Sequence, residues 1–325
     1  MGKQGNWQKA AGALVRQLAQ EVGRERLAQL QKKSPGKHAL LALGWLGSGI
    51  LGAWWAAQAR WPWLWPLGIA SLGLFAFNGT VLLHEVLHGL VFPRRKGRLE
   101  QLLSLLYAAP CGISPSQFTR WHLDHHAELG DPQADPKRHH LSPKRNSRLV
   151  KLLYWTPALF LIYFRAARRE ARSYPEKLRK RILWERSSFT ALHLALAAVL
   201  VESFGWGLWL RVHALPLFVA FPVWFALNRL GQHYAVVPED PAQWGTLMVR
   251  SPYLWDLLFL FSNYHLEHHY FPGVPAYNLP ALRRALEGFF ARRGMRPRTY
   301  RSLLVDWFVR NRPPHANWEQ EMLVG

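Results

Sequence analysis

The segment "LLHEVLHGL" at residues 82–90 sets His84 and His88 four residues apart, with Glu85 between them. On a helix that spacing puts both imidazoles on one face. H-E-x-x-H is also the arrangement in which two histidines bind zinc while the glutamate acts as a base. Two more clusters follow: "HLDHH" at 122–126, with His122, His125 and His126, and "HLEHH" at 265–269, with His265, His268 and His269. Each repeats the i, i+3 or i, i+4 spacing, so each directs its imidazoles at one locus. Neutral imidazole suits zinc, copper, iron or nickel. One tetrahedral zinc with three protein ligands would leave most of these side chains unused. Eight nitrogens are enough for two metal ions, each keeping an open position.

The elements that must carry these clusters are set by hydropathy and charge. The chain has 325 residues, one cysteine and a formal net charge of +21. Its apolar residues gather in long blocks between basic stretches, which argues against an ordinary soluble protein. A bilayer span takes about 20 apolar residues, and residues 38–59, 64–83, 188–210 and the shorter 212–228 meet that need. Of the 41 Lys and Arg, residues 1–37 hold 8, 93–186 hold 20 and 229–325 hold 11. The other two, Arg60 and Arg211, lie in the short turns "ARWPW" and "LRVHALP". Positive loops stay in the cytoplasm. The chain therefore reads as two transmembrane hairpins with their turns outside, and with both termini and all three clusters on the cytoplasmic side.

Two shorter apolar runs, 102–113 and 152–164, predict interfacial or re-entrant helices. Near the N-terminus Leu14, Leu18 and Val22 recur at four-residue spacing among basic residues. They predict either a helix lying on the membrane surface or an ordinary amphipathic one. A lone cysteine, Cys111, excludes an internal disulfide and suits a reducing compartment. The expectation is an all-α integral membrane protein forming one domain over 1–325: a basic segment 1–37, a core 38–290 and a cytosolic tail 291–325.

The order H-x-x-x-H, H-x-x-H-H, H-x-x-H-H is flanked by "HEVLHGLVFP", "RWHLDHHAELGDPQADP" and "NYHLEHHYFPGVPAYNLPAL". It resembles the membrane fatty-acid desaturase and hydroxylase superfamily of non-haem diiron enzymes, and its third stretch is similar to the acyl desaturases of bacterial type. The resemblance covers residues 40–290. It implies four membrane helices, a cytosolic diiron cap and a buried acyl-chain tunnel, and its ligand set falls on the eight histidines above. It implies a ninth ligand as well, His233 in "NRLGQHYAVV", just beyond the fourth membrane helix. The family often has an asparagine four residues before such a histidine, holding a water on the metal. Here position 229 is Arg229 and Asn228 stands five residues before, so Asn228 is left out of the ligand set. The alternative role for His233 is to cap the last carbonyls of the helix.

The chemistry so implied uses O2 and two non-haem iron ions. An unactivated methylene has no accessible pKa, so no side-chain base can remove its proton. The metal centre carries the reaction and the protein positions the chain. Two successive hydrogen abstractions from neighbouring carbons give a cis double bond, and oxygen transfer after the first gives an alcohol. Placement of the acyl chain decides between them. The electrons must come from outside, because the sequence has no H-P-G-G haem-domain element and no cysteine set for an iron–sulfur centre. A ferredoxin-like acidic carrier docking on the basic face would supply them. The same charges also suit anionic lipid headgroups, and no nucleic-acid partner is expected.

Glu85, Asp124, Asp131, Asp135 and Glu267 lie in or beside the clusters. Each is a candidate to receive the second N–H of a ligating imidazole, with helix capping or surface charge as alternatives. Carotenoid ketolases and hydroxylases, and lipid hydroxylases, share such histidine boxes. An intramembrane zinc protease would use His84, Glu85 and His88 and needs a carboxylate ligand from a later membrane helix. Residues 188–228 hold no Asp and only Glu202, at the wrong end. A metal transporter would want polar residues along its spans, which are nearly free of them. His265 stands where front-end desaturases have glutamine, which argues against that subgroup. Interfacial or surface roles are expected for His38, His139, His140, His193, His213 and His315.

Overall fold

The computed structural model describes residues 4–58, 60–129, 135–137, 143, 145–234, 236–237, 240–250 and 254–313, with side chains from residue 11 onward. Asp131, His139, His140 and His315 lie outside them. Among the described residues the regular elements are all helices. In chain order they begin with α1 (Gln4–Val22), α2 (Arg24–Leu30), α3 (Pro35–Ala57), α4 (Trp65–Leu87), α5 (Gly97–Ala108) and α6 (Pro115–Ala127). Next come α7 (Arg148–Leu153), α8 (Ala158–Glu170), α9 (Glu176–Trp209) and α10 (Phe221–Leu230). The last are α11 (Leu254–Leu258), α12 (His265–Tyr270), α13 (Leu279–Ala285), α14 (Glu287–Arg292) and α15 (Tyr300–Leu304).

Among the described residues three helical stretches are long and apolar enough to cross a membrane: Pro35–Ala57, Pro62–Leu87 and Glu176–Leu230. The third runs for 55 residues and contains one non-helical residue, Gly205, at φ 81° and ψ 166°. His193 Nδ1 and His213 Nε2 stand 2.8 Å apart, whereas 20 residues of straight helix would span about 30 Å. The chain therefore doubles back at Gly205. Glycine reaches positive φ at no steric cost, and this places the reversal ahead of "LRVHALP", where the charge pattern puts it. Residues 210–214 are helical instead, and the Arg211 guanidinium lies over the Trp65 ring at 3.9 Å.

The described chain forms two compact units. One comprises residues 35–121 and 153–226. Here the small residues of α4 let backbones approach, as helices in lipid require. A Cβ at Gly68 would collide with the Ala56 backbone, one at Gly73 with Ala220, and one at Gly79 with the Tyr107 carbonyl. Three histidines inside this unit have polar partners. Trp209 Nε1 donates to His213 Nδ1 at 3.1 Å, which leaves the His213 proton on Nε2, facing His193 Nδ1. His193 Nε2 then donates to the Ala109 carbonyl at 2.9 Å. His38 is buried, with Nε2 2.9 Å from the Tyr107 hydroxyl. These three histidines tie helices together, in place of the interfacial or surface roles their lone positions suggest.

The other unit comprises residues 1–34, 122–152 and 227–325. Leu14, Leu18 and Val22 of α1 are buried in its core with Leu282, Leu286, Phe289 and Phe290. The apolar stripe of α1 thus faces protein and not a membrane surface. Within residues 291–313, Tyr300, Leu303, Asp306 and Trp307 are buried too, so that stretch is packed structure. Lys151 of α7 fastens it, donating from Nζ to the Trp307 carbonyl at 3.2 Å, Asn311 Oδ1 at 3.0 Å and the Arg312 carbonyl at 2.6 Å.

The close approach of α3 and α4 is testable. Gly68→Val should cost about 1–3 kcal/mol through overpacking, seen as a lower Tm in detergent. An unchanged Tm would mean that the two backbones do not meet at Gly68.

Candidate metal centre

The second histidine cluster rides on α6, and the start of that helix is held by a residue the sequence reading passed over. Glu185 of α9 is buried. Its carboxylate accepts from the Ser116 backbone N–H at 3.0 Å, Ser114 Oγ at 2.5 Å and Ser116 Oγ at 2.6 Å. It also pairs with Arg181 at 3.0 Å. A carboxylate at a helix N-terminus satisfies orphan amides and complements the helix dipole. The adjacent Gln117 donates from Nε2 to the Ala167 carbonyl at 2.8 Å. In sequence, Glu185 is one acid in a basic run; only the "SPS" at 114–116 hints that a helix start needs a partner.

Seven of the nine expected ligands lie in the unit that contains residues 122–152 and 227–325. His125, His233, His265 and His269 each present a ligand nitrogen within 4.8 Å of the others. The Nε2 of His125 is 3.0 Å from that of His233. His233 Nε2 is 2.9 Å from His265 Nε2, and His265 Nε2 is 3.0 Å from His269 Nε2. His122, His126 and His268 form a second group under the same limit, with the Nε2 atoms of His268 and His126 3.1 Å apart. The two groups adjoin: the His126 and His269 rings stack with centroids 4.3 Å apart. In the other unit, His84 and His88 face each other at the end of α4, centroids 4.7 Å apart.

The outward nitrogens decide what the inward ones can do. His125 Nδ1 meets both oxygens of the buried Asp135 carboxylate, at 2.8 and 2.9 Å. It must carry the proton, which leaves Nε2 a bare lone pair. His233 Nδ1 likewise donates to the Trp244 carbonyl at 2.8 Å, so its Nε2 is bare as well. Two lone pairs then face each other at 3.0 Å with no hydrogen between them. That contact is repulsive unless a cation binds both. Two imidazoles at right angles on a metal, with metal–nitrogen bonds of about 2.1 Å, stand about 3.0 Å apart. The ideal tetrahedral separation would be about 3.4 Å. The donor set fits a metal ion.

The surroundings favour the neutral form of His125, His233 and His269. Burial, followed by the charge of Lys137, pushes His233 down to about 4, against weaker opposition from the Trp244 carbonyl and Asp135. Burial holds His125 and His269 well below the usual histidine range. Lys137 Nζ itself approaches His122 Nδ1 at 3.1 Å, and burial brings it down to about 7.

Of the acids in or beside the clusters, Asp135 takes the imidazole-orienting role. Glu267 is committed elsewhere, 3.1 Å from Arg283 Nε. That contact is ionic and lacks hydrogen-bond alignment. Glu85 Oε1 is 3.8 Å from His84 Nδ1, beyond hydrogen-bond reach. Asn228 is engaged with Ser262 at 3.0 Å and Gln232 at 2.8 Å.

A helical membrane protein that brings imidazole nitrogens within 4.8 Å of one another has a donor set compatible with a membrane metalloprotein. Comparison with known proteins gives the family. The fatty acid desaturase profile matches residues 59–301, and the chain belongs to that family of oxidoreductases. It is 25% identical over 249 residues to the human "Sphingolipid delta(4)-desaturase/C4-monooxygenase DES2", covering 74% of this chain and 71% of the relative. It is 24% identical over 246 residues to the Drosophila melanogaster "Sphingolipid delta(4)-desaturase DES1", covering 74% and 72%.

Two outcomes follow from this geometry. Asp135→Asn removes the charge that fixes His125 and should weaken metal retention about 10- to 100-fold, read from the chelator concentration that strips the metal. Retention equal to wild type would remove Asp135 from the site. Glu185→Ala should lower stability by about 1.5–3 kcal/mol, the usual scale of a hydrogen bond to a charged group. Thermal unfolding in detergent measures it, and a Tm within error of wild type would refute the capping role.

Proposed function

We propose that this desaturase introduces a cis double bond into the fatty acyl chain of a membrane lipid, using O2, two non-haem iron ions and electrons from an external carrier. The convergence of the His125, His233, His265 and His269 nitrogens carries this reading. These four are assigned to one iron. His122, His126 and His268 are assigned to the other, with His84 and His88 completing it on the strength of their spacing and of family membership. Bound there, the irons supply the oxidising chemistry that a methylene requires and that side-chain acids and bases lack.

The chain's own residues do the rest. Asp135 and the Trp244 carbonyl hold the protons of His125 and His233 outward, keeping lone pairs available. The apolar membrane helices bind and orient the acyl chain and exclude water. The reversal at Gly205 supports reading Glu176–Leu230 as two crossings, hence four in all. The concentration of Lys and Arg outside the apolar blocks supports reading both termini and the site as cytoplasmic. We read the chain as one catalytic domain, since each compact unit is built from separated segments.

The relatives are named for sphingolipids, so that class is the first substrate to test. The human relative is also named as a C4-monooxygenase, which keeps hydroxylation as the second reading for the same site. Lipid analysis of a host expressing the chain should show a new cis double bond, lost in His126→Ala and His268→Ala while the protein stays in the membrane. The purified enzyme should hold two irons. Recovery of an alcohol alone would assign hydroxylation; zinc at one per chain with peptide cleavage would overturn the reading.

A further inference from the structure

Helix α12 carries three of the nine histidines in only six residues, His265–Tyr270. An isolated helix of that length is unstable in water, and its N-cap residue, Tyr264, makes no side-chain cap. Something outside the helix must fix its position. The chain entering it is also strained. Leu260 and Phe261 take φ of 45° and 66°, the left-handed region that bulky L-residues avoid. Consecutive residues of this kind persist only where neighbouring structure over-determines them, and they gather at functional sites.

One buried side chain supplies the restraint. Asp256 of α11 is 5% exposed. Its Oδ1 accepts from Asn263 Nδ2 at 2.9 Å and its Oδ2 from the Tyr264 hydroxyl at 2.9 Å. Its backbone carbonyl accepts the Phe261 N–H at 2.8 Å. The same residue therefore closes the strained turn through its backbone and grips the two residues that precede His265 through its side chain. Tyr264 passes the restraint on, because its carbonyl accepts the His268 N–H at 3.0 Å and so sets the register of α12. His265 depends most on that register. Its Nε2 lies between those of His233, at 2.9 Å, and His269, at 3.0 Å. Both Asp256 oxygens already accept hydrogen bonds, so the carboxylate acts on the ligands through Asn263 and Tyr264.

We infer that Asp256 is a positioning residue for the third histidine cluster, holding His265, His268 and His269 in their metal-binding register. The inference rests on the reading of these histidines as ligands. The test uses the full-length protein in detergent, titrated with Co(II), whose visible d–d bands report ligand geometry without turnover. Wild type, Asp256→Ala, Asp256→Asn, Tyr264→Phe and His265→Ala are compared, with Tm measured for each. Asp256→Ala should bind Co(II) about 10- to 100-fold more weakly, the range for loss of an outer-shell partner, with displaced bands. In turnover it should lower kcat and leave the KM for lipid nearly unchanged. Tyr264→Phe deletes a single hydroxyl and should show the same spectral displacement to a smaller degree. Asp256→Asn keeps one acceptor oxygen and should recover part of the affinity.

Should Asp256→Ala fail to fold, Tyr264→Phe decides alone. Wild-type bands and affinity in every folded variant, with losses that follow Tm only, would overturn the inference and leave Asp256 a merely structural acid. Failure of wild type itself to bind Co(II), or binding unchanged in His265→Ala, would instead strike at the ligand assignment.

Discussion

The rest of this structure is arranged around an unfavourable contact. Imidazole nitrogens whose protons are turned away cannot hydrogen-bond to one another, yet His125 and His233 bring theirs within 3.0 Å. Folding alone gives no compensation for that repulsion. A cation compensates directly, so metal affinity and the cost of gathering the ligands are one quantity seen from two sides. The outward partners make the arrangement selective for the neutral ring. With Asp135 and the Trp244 carbonyl holding the Nδ1 protons, rotation or tautomer exchange would leave a buried acceptor unmatched.

Ligand-bearing helices of this kind need external support, and the support differs with helix length. The 13-residue α6 is long enough to act as a lever, and its anchor, Glu185, lies at the end away from its histidines. The six-residue α12 has no such reach. Its anchor must lie next to the ligands, and Asp256 grips the two residues immediately before them. In both cases a buried carboxylate accepts several hydrogen bonds at a helix entrance, where backbone amides have no partner of their own.

The histidine clusters that converge in the structure were legible in the sequence because helical spacing writes each into one short stretch, and His233, which joins one of them, was named through the resemblance. Their supports were not. Glu185 and Asp256 lie 69 and 7 residues from the groups they hold, and nothing local separates them from the surface acids around them. Asp135 was nominated with four other acids, and its contact with His125 singles it out. The apolar blocks gave the spans, but the reversal followed Gly205 and not the nearest charge, because Arg211 found an aromatic face to lie on. The stripe on α1 could serve either a membrane surface or a protein core, since both present the same apolar demand. The choice depended on Phe289 and Phe290, far along the chain.

The histidine-bearing unit is sewn from the first, middle and last parts of the chain. Asn278 bonds the Leu30 carbonyl across 248 residues, and the Ser34 amide bonds Tyr277 across 243. Loop closure over such distances is slow to pay back in contacts. During synthesis the N-terminal helices must wait, their apolar stripe uncovered, until α13 and α14 leave the ribosome. Lys151 waits longer still for residues 307–312. The convergence of the imidazoles in this unit is therefore a late event in biogenesis, dependent on contacts that residues 277–312 supply last.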